Sequence, residues 1–160
     1  MTSRHKDPAR LCICASLRRA TRTVTQLYDD ALRPAGLRAT QFQTLLTIDK
    51  KGEATVTELT RLMLVDQTTL TRNLAVLERD GLLGAVTKTD ARLKSVKLTR
   101  AGKQALKAAM PLWIDVQKKV TQIIGPNVWA AMSDELEILA TLGNPSSLVT
   151  GGHGSHTRMK

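Results

Sequence analysis

The sequence predicts a mainly α-helical chain carrying one small β-hairpin, and three observations support this. Between Asp66 and Gly81, an acidic N-cap candidate, leucines at Leu70, Leu74 and Leu77, and a closing glycine mark out a helix with one apolar face. Just before it, Thr55-Val56-Thr57-Glu58 has capping-box spacing and opens a shorter helix, with Leu59, Leu62 and Met63 as its buried side. Just after it, Leu83 and Ala85, then Val96 and Leu98, alternate with small or polar residues, as two half-buried strands would. The link Leu64-Val65 has room only for a tight turn. Two short helices joined this way and followed by a hairpin make a winged helix-turn-helix, over residues 37–99.

The remaining elements follow in order. Residues 1–9 read as a loose basic arm, with Arg4, His5 and Lys6 ahead of Pro8. A long helix runs from Arg10 to about Leu32 and stops before Pro34 and Gly36. Its apolar side is Leu11, Cys14, Leu17, Val24, Leu27 and Ala31, too long a stripe for the winged helix alone to cover. Thr40 is the expected cap of the next helix, which turns Phe42, Leu45, Leu46 and Ile48 inward and closes at Lys51-Gly52. Beyond the hairpin, Thr99 caps a helix reaching Ile124, with a kink expected at Pro111 because proline removes an amide and crowds the preceding turn. Gly125 ends it, and Pro126 suits the first position of a last helix lined by Val128, Trp129, Met132, Leu136, Leu139 and Leu142. Residues 10–33 and 100–143 are thus the expected dimerisation helices of a domain spanning 10–143. Residues 144–160, rich in Gly and Ser, are expected to be a disordered tail.

The 160 residues make one domain, and a net charge of +10 calls for a polyanionic partner. Nucleic acid is favoured over an anionic membrane, because no helix joins a lysine-rich face to a bulky aromatic one. No apolar run approaches the roughly 18 residues of a membrane span. The polar Met-Thr-Ser-Arg-His-Lys-Asp start lacks a signal-peptide core, so a cytoplasmic location is expected. Enzyme chemistry finds no foothold: there is no nucleophile motif, phosphate-binding glycine loop or metal-ligand spacing, and no cofactor is expected. His153 and His156 lack a third ligand, so no metal site is assigned to them.

The face opposite Leu70, Leu74 and Leu77 carries Gln67, Thr68, Thr71, Arg72 and Arg79, with Thr69 and Asn73 at its edge and Glu78 toward its far end. Short hydrogen-bonding groups beside a fork-shaped cation suit base edges in the major groove of double-stranded DNA. A solvated polar face would look the same on one isolated helix. The whole series, from capping box to the basic hairpin tip Thr87-Lys88-Thr89-Asp90-Ala91-Arg92, is what favours DNA.

On these residues the chain resembles the MarR (multiple-antibiotic-resistance regulator) family of transcriptional regulators. The resemblance covers Leu11 to Leu142, and its most specific parts are TELTRLMLVDQTTLTRNLAVLERDGLL and Asp90-Ala91-Arg92 followed by SVKLTRAG. It implies a homodimeric repressor with a winged helix in each subunit, released from a palindromic operator by a small ligand bound between the DNA-binding and dimerisation parts. It also implies that Arg92 enters the minor groove while Asp90 holds it in place. The expected DNA-binding set is Gln67, Thr68, Thr69, Thr71, Arg72, Lys88, Asp90, Arg92 and Lys94. The chain departs from the family at Leu83-Gly84-Ala85-Val86, where members often carry a basic pair. Phosphate contacts there are either missing or supplied by Lys88 and Lys94.

Two further groups bear on regulation. Arg18, Arg19 and Arg22 cluster on the first helix and suggest an anionic effector, an aromatic carboxylate as in many relatives, set against their reading as solvated arginines. Cys12 and Cys14, two positions apart, would point about 200° away from each other on a helix and find no partner cluster for a metal. They are read as buried structural cysteines, with a redox thiol at Cys12 as the alternative. That alternative resembles the organic-hydroperoxide-sensing branch of the family, which uses tyrosines to hydrogen-bond the thiolate; this chain offers Tyr28 alone.

Overall fold

A computed structural model describes residues 12–86 and 95–142. The basic arm, the hairpin tip and the C-terminal tail expected from the sequence lie outside the described residues. Helix α1 (Ile13–Leu32) leads through a short 3-10 turn (Arg33–Ala35) to α2 (Ala39–Lys51). Strand β1 (Ala54–Thr55), α3 (Val56–Met63) and α4 (Gln67–Arg79) follow, then β2 (Leu83–Val86) and β3 (Ser95–Leu98). Helices α5 (Arg100–Ile124) and α6 (Pro126–Thr141) complete the chain.

The hairpin belongs to a three-stranded antiparallel sheet of order β1-β3-β2. Leu83 faces Leu98 and Ala85 faces Val96 across β2–β3, and Ala54 faces Val96 across β1–β3. The two-residue β1 is too short to show an alternation, which is why the sequence pattern does not reveal it.

The chain divides into two units, one ending at Gln117 and one beginning at Lys118. The core of the first gathers Leu32, Phe42, Leu45, Ile48, Leu59, Leu70, Leu77, Val96 and Leu106. The apolar stripe of α4 is the expected one: Leu70, Leu74 and Leu77 are its buried residues. In the second unit α6 starts at Pro126 behind Gly125 as expected, and it has no buried residue.

Two expectations change. Thr40 is not the cap of α2: the helix begins at Ala39, whose N–H donates to Asp29 Oδ1 at 2.7 Å, while Arg38 N–H donates to Gln41 Oε1 at 2.9 Å. Borrowed carboxylate and amide oxygens satisfy the free amides one turn earlier than a hydroxyl at Thr40 could. Leu62 is exposed, because an eight-residue helix turns only the Val56–Leu59–Met63 edge to the core and leaves Leu62 on its flank. Pro111 lies inside α5, which runs from Arg100 to Ile124.

Candidate nucleic-acid interface

The helix-turn-helix is α3 and α4, and its turn is built by one residue. Leu64 adopts φ 51° and ψ 41°, a left-handed conformation that lets Val65 N–H reach Thr60 O at 3.3 Å. Side-chain caps hold both helix starts. At α3, Glu58 N–H donates to Thr55 Oγ1 at 3.2 Å and Thr55 N–H donates to Glu58 Oε2 at 2.8 Å. The bonds from Thr55, with Lys51 Nζ at 3.4 Å from Glu58, hold the Glu58 carboxyl below its ordinary range. At α4, Thr69 N–H donates to Asp66 Oδ1 at 2.9 Å. Bonds from the Thr69 hydroxyl and amide likewise hold the Asp66 carboxyl low. Gly81, at φ +72°, then turns the chain out of α4 toward the hairpin.

With its leucines locked inward, α4 leaves Gln67, Thr68, Thr69, Thr71 and Arg72 exposed. Their chemistry differs. Thr71 Oγ1 donates to Gln67 O at 2.7 Å, which leaves its lone pairs free to accept from a base amino group. Thr69 serves the cap through its backbone N–H. Arg79 is ion-paired with Asp80 at 3.1 Å, whereas Arg72 has no ion-pair partner among the described residues. Asn73 turns the other way: its Nδ2 donates to Thr44 Oγ1 at 2.9 Å, tying α4 to buried Thr44 of α2. The sequence pattern sets Asn73 at the edge of the polar face and carries no signal for this tie.

Lys88, Asp90, Arg92 and Lys94 lie outside the described residues. The base of their hairpin is fixed where α5 begins. Thr99 Oγ1 donates to Gly81 O at 2.7 Å and accepts from Gly102 N–H at 3.0 Å. At Gly102, an added Cβ would lie 2.1 Å from the Leu82 carbonyl oxygen, so only glycine fits.

The regulatory candidates separate. Arg18, Arg19 and Arg22 are exposed on α1. A cavity of about 330 Å³ lies instead among Val24, Tyr28, Leu32, Phe42, Leu46 and Trp113. Phe42 stacks on Trp113 with ring centroids 5.8 Å apart, and the Tyr28 hydroxyl, its pKa raised by burial, donates to Gln117 Oε1. The chain has four aromatic residues, and three of them meet here, a clustering that composition alone could not reveal. Cys12 and Cys14 are exposed in the single chain, correcting their reading as buried. The reason is that α1 buries only Leu32, so its first turns have no cover from the described residues. Cys12 is the N-cap, in extended backbone. Tyr28, sixteen positions along the same helix and so ~24 Å away at 1.5 Å per residue, cannot reach it within the chain.

The sequence profile of the MarR family matches residues 35–93. The transcriptional regulator MosR of M. tuberculosis, solved in complex with DNA, is 43% identical, covering 82% of this chain and 96% of MosR, with a TM-score of 0.76. The chain belongs to the MarR family. Members of the MarR family are DNA-binding transcription regulators, not enzymes. The fold is also that of E. coli MarR, whose cysteine-to-serine mutant solved with operator DNA is 24% identical over 84% of this chain and 99% of its own, with a TM-score of 0.75. An HTH-type transcriptional regulator of Bacillus cereus is 35% identical over 93 residues, and the match spans 58% of this chain and 62% of that relative. No helix among the described residues is long and apolar enough to cross a membrane.

Proposed function

We propose that this MarR-family chain is a homodimeric repressor that grips double-stranded DNA through α4 and its hairpin, and that a small ligand releases it. The observation that carries the reading is the one-sided α4: buried leucines fix its back, while Gln67, Thr68, Thr71 and Arg72 stand exposed in its first turns. Those are the turns that reach base edges when such helices dock. The 43% identity to MosR, solved in complex with DNA, supports it. Exposed Val24 and Leu27 on α1 and Val128, Ile138 and Leu139 on α6 support a second copy as the partner of the terminal helices. Two-fold symmetry then calls for a roughly palindromic site with half-sites about one helical turn apart. Such a repressor works in the cytoplasm, beside the chromosome. The aromatic-lined cavity, rather than Arg18, Arg19 and Arg22, is where an aromatic effector fits, with Tyr28 and Gln43 as its polar neighbours.

The test compares Arg72→Ala and Arg92→Ala on a panel of single-base operator variants at several salt concentrations. Arg72→Ala should flatten the sequence preference, since a bidentate base contact carries about 1–3 kcal/mol of discrimination. Arg92→Ala should weaken every site and reduce the salt slope by about 0.9 for each phosphate no longer held. The opposite division of effects would overturn the assignment.

The place of Cys12 at the N-cap of α1 supports a second reading, in which a hydroperoxide is the signal. The Cys12 thiolate would attack the peroxide, taking one oxygen as a sulfenic acid while the alcohol leaves. Release of DNA by an organic hydroperoxide that is lost in Cys12→Ser, but kept in Cys14→Ser, would select it.

A further inference from the structure

We infer that Arg38, outside the helix-turn-helix, is a seat for a DNA backbone phosphate beside the recognition helix. This rests on the DNA-binding reading above and extends the contact surface to the start of α2. An open groove of about 850 Å³ runs along the flank of α4, with Arg72 and Arg79 on one wall and Arg33 and Arg38 on the other.

The four guanidinium groups are not equivalent. Arg33 is paired with Asp30, and Arg79 with Asp80 at 3.1 Å. The other acid that lines the groove beside Asp80, Asp29, accepts from Ala39 N–H at 2.7 Å. Each acid is therefore engaged, while Arg38 and Arg72 have no hydrogen-bonding or ion-pairing partner for their side chains among the described residues. Two uncommitted forks across an open polar groove leave a positive seat beside the helix that enters the major groove. A docked helix has phosphate backbone along its flanks, and an arginine fork matches phosphate oxygens in pairs. Arg38 is exposed, and its backbone N–H, not its guanidinium, makes the bond to Gln41. Its side chain is free for the partner, and replacing it leaves the start of α2 intact.

Arg33 provides an internal control: it lines the same groove and carries the same charge, but is already paired. Binding of the full chain to a mixed-sequence duplex is measured by fluorescence anisotropy from about 50 to about 200 mM salt. The expected result is that Arg38→Gln lowers affinity roughly tenfold at low salt and reduces the salt slope by about 0.9 for each phosphate released, equally for all sequences. Arg38→Lys should restore most of the slope, and Arg33→Gln should leave it near the unaltered value. An unchanged slope in Arg38→Gln overturns the proposal alone. Equal losses in Arg33→Gln overturn it too, since they would assign the effect to the overall charge of the groove. Failure of the unaltered chain to bind any duplex would bring down the DNA reading itself and this inference with it.

Discussion

The helix-turn-helix body and the terminal helices are written in the same apolar alphabet and end in opposite states. In the body, Leu59, Leu70 and Leu77 are almost wholly buried by their own chain. In α6, a stripe just as regular leaves Val128 at 58% and Leu139 at 36% exposure, and α1 buries only Leu32. Burial stabilises by about 25 cal/mol per Å² wherever the covering surface comes from. The two regions therefore differ in cover: the body closes on itself, and the terminal helices leave large apolar side chains that no described residue covers.

The largest effect should come from breaking the body where it is tightest. Gly102→Ala places a methyl group against the Leu82 carbonyl at the joint between hairpin and α5. The roughly 1 kcal/mol that alanine gains over glycine in a helix is outweighed by the required backbone shift. A net loss of roughly 2–4 kcal/mol is expected in urea denaturation. A wild-type midpoint would mean that the joint yields freely. The terminal helices should behave otherwise. Ile138→Asp should leave helix content unchanged by circular dichroism and halve the mass seen by light scattering at micromolar concentration. A mass that stays dimeric would remove α6 from the interface.

This contrast also explains how much was legible in the sequence. Caps and stripes are local, so Thr55–Glu58, Asp66, Gly81, Thr99 and the leucines of α4 could be read at their own positions. What escaped depends on residues far apart in the chain. Asp29 caps α2 from ten positions away, Asn73 reaches Thr44 across 29, and Tyr28 reaches Gln117 across 89. Periodicity carries no information about such pairs. Cys14 and Leu62 are exposed for a related reason: a stripe says which face is apolar, not how much surface lies opposite it.

A smaller effect is expected at the turn that joins the two helices. Leu64 holds a left-handed backbone at 69% exposure, so its side chain contributes little burial in return for the strain. That conformation costs an L-residue about 1–2 kcal/mol. Glycine relieves it but loses more entropy on folding, by about 0.5–1 kcal/mol. Leu64→Gly should therefore stabilise the body by roughly 0.5 kcal/mol. A clear loss in thermal unfolding would show that Leu64 is covered by a contact in solution.

The smallest effect should be visible only as a function of pH. Thr69 holds the Asp66 carboxyl below its ordinary pKa, so the fold prefers the ionised form. A carboxyl lowered in this way contributes its full stability above its ordinary value and loses it as pH falls through the depressed one. Glu58, lowered by Thr55 and Lys51, adds to the same acid limb. Asparagine caps a helix about as well as aspartate but carries no proton to titrate and no charge for the helix dipole. Asp66→Asn should thus be slightly less stable than the unaltered chain at neutral pH, and the gap should close below about pH 4 as Asp66 protonates. Urea midpoints for both proteins, taken from neutral pH down to about pH 3, measure that gap directly. A gap that stays constant across the range would mean that the cap works through its geometry alone, and that the acid sensitivity of the body arises at Glu58 or elsewhere.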